Sequence, residues 1–276
     1  MPNLLIHSMS EFASIIVEAL DLAKARNLVE IGAEFGGMSA ILASYAGHAE
    51  GHLYSVDPNP KPEFLQWVGA HDNVTHVEKP SLDAFAELRD IDAWLVDGDH
   101  NWFTVYHELK AIDAACQRDG KPMFAILHDV CWPAAHRDMY YAPEAIPAEF
   151  RHVYCLQSGA LPGVSALCPG RGFRGMGQFG MALHEGGPRN GVKSAVADFL
   201  GEAEEAGRNF AYAEIPAVFG LGVIIDMDAE WASDVAELML PYHDNPLIAS
   251  LEENRLANYL TVLDWQDGFY RHAKAG

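Results

Sequence analysis

The feature that most constrains the fold of this chain is the alternation of short apolar runs with helical stretches over roughly its first 130 residues. Five short apolar runs predict buried strands at 28–31, 52–56, 74–77, 91–96 and 123–127. Gly32, Asp57 and Asp97 end the first, second and fourth of them. Helical stretches separate them, at 11–25, 37–46, 81–88 and 102–116. Strands that alternate with helices predict a parallel sheet covered by helices on both faces.

The same periodicity returns after residue 190. A helix at 191–206 precedes two further strands, at 211–215 and 222–225, and helices at 228–240 and 245–273 end the chain. No repeat or low-complexity linker divides the sequence. We therefore predict one α/β domain over residues 1–276, built on a doubly wound, mostly parallel sheet of seven strands.

Residues 131–190 interrupt the pattern. The segment is rich in proline, glycine and arginine, and a loop of this length inside a compact domain is usually functional or disordered. We predict an insertion after strand five that acts as a lid over the active site; an oligomer contact is the alternative. Candidates for substrate contact within it are His136, Arg137, Asp138, Tyr140 and Tyr141.

A glycine turn follows the first predicted strand, in VEIGAEFGGMS. Gly32 lets the backbone turn sharply and lets a ligand approach where a Cβ would clash. Gly36 and Gly37 open a helix whose first N–H groups can meet a carboxylate. Glu30, at the strand end, could take the amino group of a zwitterionic ligand. A turn that only packs a helix would explain the glycines equally well.

A second acid, Asp57, ends the next predicted strand, where a carboxylate can accept two hydrogen bonds from a ribose diol. The glycine spacing differs from the GxGxxG of nicotinamide enzymes, and no phosphate has to be bound. Together with the five-strand order, Glu30, Gly32 and Asp57 predict a site for an adenosyl cofactor.

Acids and imidazoles also follow strands four and five: Asp97, Asp99 and His100 after the fourth, His128 and Asp129 after the fifth. Carboxylates from neighbouring strand ends can share a divalent cation, and oxygen ligands suit magnesium or manganese. A cation polarises a bound hydroxyl, and a neutral imidazole can take the proton. Alternatively, Asp97 or Asp99 caps the next helix and His128 is a core histidine.

Four stretches resemble a known family: VEIGAEFGGMSAILA, LYSVDP, IDAWLVDGDHNWFTVYHEL and ILHDV. They resemble class I S-adenosylmethionine-dependent methyltransferases, and more narrowly the branch of the macrocin-type O-methyltransferases and cephalosporin hydroxylase-like proteins. The resemblance covers about residues 25–131. It implies a Rossmann-like methyltransferase fold and O-methylation of a hydroxyl on a sugar or secondary metabolite.

The resemblance also implies roles for individual residues. Glu30, Gly32, Gly36 and Ser39 would line the methionine side of S-adenosylmethionine, Asp57 would hold its ribose, and Ser81 and Leu82 would lie by the adenine, with Asp97 also at the cofactor. Asp97 and Asp129 would ligate the metal, Mg or Mn, and His100 would be the general base. His128 departs from the family pattern, which has two acids there. It would ligate a softer ion, serve as a second catalytic imidazole or hold Asp129 in place.

The net charge and the N-terminal sequence limit the classes of partner and the location that we expect. The net charge is −21, and a surface that negative repels nucleic acids and anionic membranes. A small neutral or cationic acceptor is therefore expected, and a homo-oligomer stays open. The N-terminus has no signal-peptide pattern, and four scattered cysteines without a CxxC pair predict free thiols in the cytoplasm. Two rival hypotheses are a nicotinamide-dependent oxidoreductase and a non-catalytic cofactor-binding protein.

Overall fold

The computed structural model describes residues 5–33 and 36–275, with side chains through residue 268. The strands are β1 (Asn27–Ile31), β2 (His52–Val56), β3 (Val74–Val77), β4 (Ala93–Val96), β5 (Phe124–His128), β6 (Met139–Tyr140), β7 (Tyr154–Cys155), β8 (Ser158–Leu161), β9 (Val164–Pro169), β10 (Gly180–Ala182), β11 (Phe210–Ile215) and β12 (Leu221–Asp226). The α-helices are α1 (Ala13–Leu22), α2 (Gly37–His48), α3 (Pro62–Val68), α4 (Ser81–Ala84), α5 (Trp102–Asp119), α6 (Val192–Glu205), α7 (Ala232–Met239) and α8 (Pro246–Ala275). Short 3₁₀ helices span Met9–Phe12, Pro143–Ala145 and Ala148–Phe150.

The central sheet has seven strands in the order β11-β12-β5-β4-β1-β2-β3. Strands β1 to β5 run parallel to one another, and β12 pairs antiparallel with both β5 and β11. The predicted doubly wound, mostly parallel seven-stranded sheet is confirmed. The chain reverses its direction of winding between β1 and β4, and ligands of such sheets bind at the carboxyl ends of the strands beside that switch point.

Apolar side chains pack on both faces of the sheet. Leu28 and Leu53 belong to the cluster under α1, α2 and α7, whereas Val29 and Trp94 belong to the cluster under α5 and α6. Neighbouring strand residues point to opposite faces, so a parallel strand buried on both sides reads as a continuous apolar run. No helix of the described residues is long and apolar enough to cross a membrane. The four cysteines are free thiols.

Two helices differ from the prediction. The helix expected over 81–88 is a single turn, Ser81–Ala84. Helix α3 was not predicted, although Pro62 at its start has the dihedral angle that a first helical turn requires. Its Phe64 is buried. A helix of 7 residues presents too few turns for its apolar period to be recognised.

The insertion at 131–190 is more regular than predicted. Strands β6, β10 and β7 form a small antiparallel sheet, and β8 pairs with β9 in a hairpin. Two-residue strands such as β6 and β7 carry no alternation that a sequence pattern could show. A role of this segment as a lid stays a prediction.

Buried polar side chains attach the insertion to the start of α5. Asp138 Oδ1 accepts the backbone N–H groups of Trp102 (2.7 Å) and Gly191 (2.6 Å), and Oδ2 accepts the hydroxyl of Tyr140 (2.7 Å). Arg137 is fully buried and donates to backbone carbonyls within the insertion. Arg137, Asp138 and Tyr140 therefore hold the insertion together, which argues for a structural role rather than substrate contact.

Candidate active site at the carboxyl edge of the sheet

The glycine turn after β1 brings two strand ends together. Gly32 has a φ of +89°, and a Cβ there would lie 2.3 Å from the carbonyl oxygen of Asp97. Only glycine allows this approach of the β1 and β4 ends. Gly36, with a φ of +78°, is the left-handed N-cap of α2. Glu34 and Phe35 of the quoted motif lie outside the described residues.

Glu30 lies beneath this turn. Its Oε2 accepts the hydroxyl groups of Ser39 (2.5 Å) and Ser55 (3.0 Å), and the side chain is buried. Burial raises the pKa of Glu30 to about 7 despite these hydrogen bonds. The structure thus places Glu30 in contact with Ser39 of α2. Contact of Glu30 with the amino group of a ligand stays a prediction.

Asp57 connects the ends of β1 and β2. Its Oδ2 accepts the backbone N–H of Ala33 (3.2 Å) and its Oδ1 that of Asn59 (2.8 Å). The carboxylate is therefore held beside the glycine turn, at the position where the sequence predicts the cofactor ribose.

The predicted adenine position lies on α4, where Leu82 is 38% exposed. Beside Ser81 the structure places an acid that the sequence analysis missed, Glu108 of α5. Glu108 is fully buried, and neither of its oxygens has a hydrogen bond of normal geometry within the described residues. Burial raises its pKa to about 8, and nearby Ser81 offsets part of the rise. One glutamate in a helix carries no sequence signal of burial.

Replacing Glu108 by glutamine is expected to flatten the pH dependence of the free energy of unfolding. The pKa of this carboxyl is 4.5 in the unfolded chain and about 8 in the folded protein. The folded protein therefore holds the proton more tightly, and the stability gained in this way is fully present below pH 4.5 and is lost as the pH rises through 8. Between pH 5 and 8 the wild type should lose on the order of 3 kcal/mol more than the variant. Urea unfolding at both pH values measures this, and equal losses in both proteins would contradict it.

Asp97, His100 and Asp129 come together beyond the ends of β4 and β5. One ligand atom from each lies within 4.8 Å of the other two, close enough for the three residues to share a metal ion. We call Asp97, His100 and Asp129 the strand-end group. The Nε2 of His100 is 3.1 Å from Oδ2 of Asp129. Asp129 has a φ of 59°, a left-handed conformation that aspartate tolerates better than most residues and that is common at functional sites.

His128 lies behind these carboxylates. Its Nε2 donates to the carbonyl oxygen of Val218 (2.9 Å), and its Nδ1 is 3.2 Å from Asp97 Oδ1 and 3.6 Å from Asp129 Oδ2. Burial lowers the pKa of His128, but Asp97 and Asp129 outweigh it and raise the pKa to about 9. A protonated imidazole has no lone pair for a metal or a proton. His100 therefore joins the acids in the place predicted for His128, and His128 fits the alternative of holding Asp129.

Helix α5 takes its cap from neither candidate acid. Asn101 is the N-cap, and its Oδ1 accepts the N–H of Thr104 at 2.9 Å. Asp99 Oδ1 instead accepts the backbone N–H groups of His100 (3.1 Å) and Tyr141 (3.4 Å). Asp97 therefore belongs to the strand-end group and not to a helix cap. Asp99 connects the insertion to the start of α5 through the N–H of Tyr141.

Aromatic rings surround this group on the side of the insertion. Tyr141 meets the His100 ring edge-on at 5.9 Å and continues to Phe179 at 5.4 Å. Further ring contacts of 5.4–6.3 Å join Phe173 to Phe179, Phe219 and Tyr259. We call Tyr141, Phe173, Phe179, Phe219 and Tyr259 the aromatic wall. The sequence analysis predicted only Tyr141 of these, because the others come from separate segments.

Comparisons with known proteins place the chain. Residues 29–130 match the family described as "Methyltransferase domain". A Staphylococcus aureus protein assigned as a caffeoyl-CoA O-methyltransferase is 13% identical, covering 78% of this chain and 83% of its own, with a TM-score of 0.45. The SAH-bound methyltransferase PaMTH1 of Podospora anserina is 12% identical, covers 78% of each chain and has a TM-score of 0.46. No curated protein matches in sequence.

The family match covers the part of the chain that forms the candidate site. The matched segment runs from β1 to just past β5, so it holds the glycine turn and the acids at both strand ends. These strands form the parallel part of a sheet that ends in the antiparallel β12 and β11. Residues 29–130 of this chain therefore match a methyltransferase domain, and the candidate site lies within that segment.

Proposed function

We propose that this protein transfers a methyl group from S-adenosylmethionine to a hydroxyl of a small acceptor, a sugar or another secondary metabolite, with the help of a divalent cation. One observation carries the proposal. The ligand atoms of Asp97, His100 and Asp129 lie within 4.8 Å of one another, and Gly32 packs directly against Asp97. A metal-held hydroxyl would thus lie next to the cofactor turn.

The residues around the glycine turn fit the cofactor. Helix α2 presents its N-terminus beyond Gly36, where free N–H groups suit the carboxylate of a methionine moiety. Asp57 is held at the end of β2, where a ribose diol would be bound. When bound, the cofactor supplies a methyl group on a positively charged sulfur.

The strand-end group fits a divalent cation. The carboxylates of Asp97 and Asp129 offer oxygen ligands that suit magnesium or manganese, and the imidazole of His100 beside them remains available as the base. The side chains of Asp97 and Asp129 are 26% and 12% exposed, so both carboxylates are partly accessible to solvent. A cation there lowers the pKa of a bound hydroxyl.

His100 is the base in this proposal. Its Nε2 lies 3.1 Å from Asp129 Oδ2, and imidazole is the side chain that most often transfers protons in enzymes. The acceptor O–H bond gives its proton to His100, the oxygen forms the new bond to the methyl carbon, and the carbon–sulfur bond breaks. The leaving group is a neutral thioether, so it needs no proton. The remaining work of the protein is alignment of the two reactants.

The surroundings of the group favour an acceptor with a ring. Tyr141, which is half exposed, offers an aromatic ring beside His100, and the net charge of −21 disfavours an anionic acceptor. A neutral or cationic small molecule therefore fits better than nucleic acid or a membrane surface. The insertion at 131–190, which carries Tyr141, Phe173 and Phe179, is the proposed lid.

Calorimetric titration tests the proposal. S-adenosylmethionine is expected to bind both with Mn²⁺ and with a chelator, because the glycine turn does not depend on the strand-end group. Methyl transfer to hydroxyl acceptors is expected only with Mn²⁺ or Mg²⁺. Absence of S-adenosylmethionine binding under both conditions would contradict the function, and full turnover with the chelator would contradict the metal alone.

A further inference from the structure

We propose that Glu252 of α8 is a positioning residue for the strand-end acids. It acts through the turn between β11 and β12 and through His128. The inference rests on the proposed function insofar as those acids hold a cation. Glu252 lies far from the glycine turn in sequence, and none of the motifs of the methyltransferase domain includes it.

The turn between β11 and β12 has an unusual backbone. Val218 has a φ of 45° and Phe219 a φ of 67°. Two consecutive left-handed residues, one of them β-branched and one bulky, are rare because the Cβ crowds the backbone. Such conformations persist only where the surrounding structure holds them, and they concentrate at functional sites.

Hydrogen bonds hold both sides of Phe219. Its N–H donates to Glu252 Oε1 at 3.1 Å, and its carbonyl oxygen accepts the N–H of Cys131 at 2.7 Å. Cys131 follows Asp129 by two residues. The turn is thus fixed between α8 and the segment that carries a strand-end acid.

The same turn orients His128. The carbonyl oxygen of Val218 accepts Nε2–H of His128 at 2.9 Å, and the opposite nitrogen lies 3.2 Å from Asp97. An imidazole held at one nitrogen can place the other only along one direction. Because Val218 precedes Phe219, the contact with Glu252 determines where this carbonyl oxygen lies.

Glu252 is itself held in one orientation. It is 8% exposed, and Arg255 donates to Oε2 at 2.6 Å and to Oε1 at 2.7 Å. Arg255 also donates to the carbonyl oxygen of Ile6 (2.7 Å) and lies 4.6 Å from the centre of the Phe219 ring. A buried carboxylate with a two-point arginine contact is preorganised for a third hydrogen bond. The third donor here is the Phe219 N–H.

The test compares Glu252→Ala with Asp264→Ala. Asp264 lies on the same helix and pairs with Arg171 at the surface, with side chains 36% and 54% exposed, so this variant controls for the loss of an α8 ion pair. We expect Glu252→Ala to weaken Mn²⁺ binding about 10-fold or more, as loss of outer contacts does at metal sites. S-adenosylmethionine affinity should stay within about twofold in both variants, and Glu252→Gln, which keeps an acceptor oxygen, should recover most of the Mn²⁺ affinity.

A metal-free measurement separates this inference from the proposed function. The ¹⁵N resonances of the His128 ring in the apo protein should shift in Glu252→Ala and not in Asp264→Ala. If the wild type binds no Mn²⁺, the metal proposal fails, and the His128 signal still decides the role of Glu252. Unchanged His128 resonances would overturn the inference. Should Glu252→Ala not fold, Arg255→Lys, which breaks the two-point contact, is expected to shift the same resonances, and their constancy would overturn it equally.

Discussion

Asp129→Ala is expected to lower kcat at least about 10³-fold, because an ion that polarises the hydroxyl contributes several kcal/mol and each 1.36 kcal/mol is a factor of ten. The variant removes a carboxylate from the only group of three potential metal ligands found among the described residues. It also removes the carboxylate 3.1 Å from the Nε2 of His100. S-adenosylmethionine affinity should stay within about twofold, since the glycine turn and Asp57 are untouched.

A fixed-time methyl-transfer assay, with binding measured in parallel, checks this expectation. Glu237→Ala is the matched control, because Glu237 is an exposed carboxylate on α7 and its loss should leave turnover unchanged. Undiminished turnover of Asp129→Ala would contradict a role of this residue in holding the acceptor. Loss of S-adenosylmethionine binding in the same variant would instead indicate damage to the cofactor site.

Gly32→Ala is expected to lower the free energy of unfolding by about 2–5 kcal/mol, the sum of an overpacked contact and a left-handed alanine. The added Cβ would lie 2.3 Å from the Asp97 carbonyl oxygen and 2.7 Å from Gly98 Cα, both of them backbone atoms that cannot move aside alone. Thermal unfolding should shift down by roughly 5–15 °C. Because the clash pushes apart the ends of β1 and β4, cofactor affinity should fall as well.

Gly120→Ala separates the clash from the backbone conformation. Gly120 is also left-handed, with a φ of +66°, but a Cβ there would have nothing within 4 Å. It is expected to cost only about 1 kcal/mol and to leave cofactor binding unchanged. Equal losses in the two glycine variants would show that the close approach of β1 to β4 is unimportant.

The positions of the strand-end acids could be predicted from local patterns. Asp57, Asp97 and Asp129 each follow a short apolar run, and neighbouring parallel strands end at the same edge of a sheet. Strand period, strand order and end residues are all local properties of the chain. They were sufficient for the seven-stranded fold and for the glycine turn at Gly32.

The roles of the two histidines depended on the tertiary structure. His100 and His128 both follow strands near acids, so their sequence contexts look alike. Their difference comes from Val218, which lies 90 residues after His128 and whose carbonyl oxygen accepts a hydrogen bond from Nε2–H of His128. A contact over that separation leaves no trace in local periodicity, and it leaves His100 rather than His128 grouped with Asp97 and Asp129.

The sequence pattern also gave no sign that single polar residues are buried. Glu108 and Glu252 look like solvent-exposed positions of amphipathic helices, yet both are buried. Arg137 and Asp138, in a segment rich in glycine and proline, are buried too. Arg137 donates to carbonyl oxygens within the insertion, and Asp138 accepts from Trp102 and Gly191 on either side of it. Composition and period determined the layers, the sheet and the edge at which the chemistry lies. Which polar groups face that edge was decided by long-range packing, because desolvation and pairing depend on neighbours brought together only by the fold.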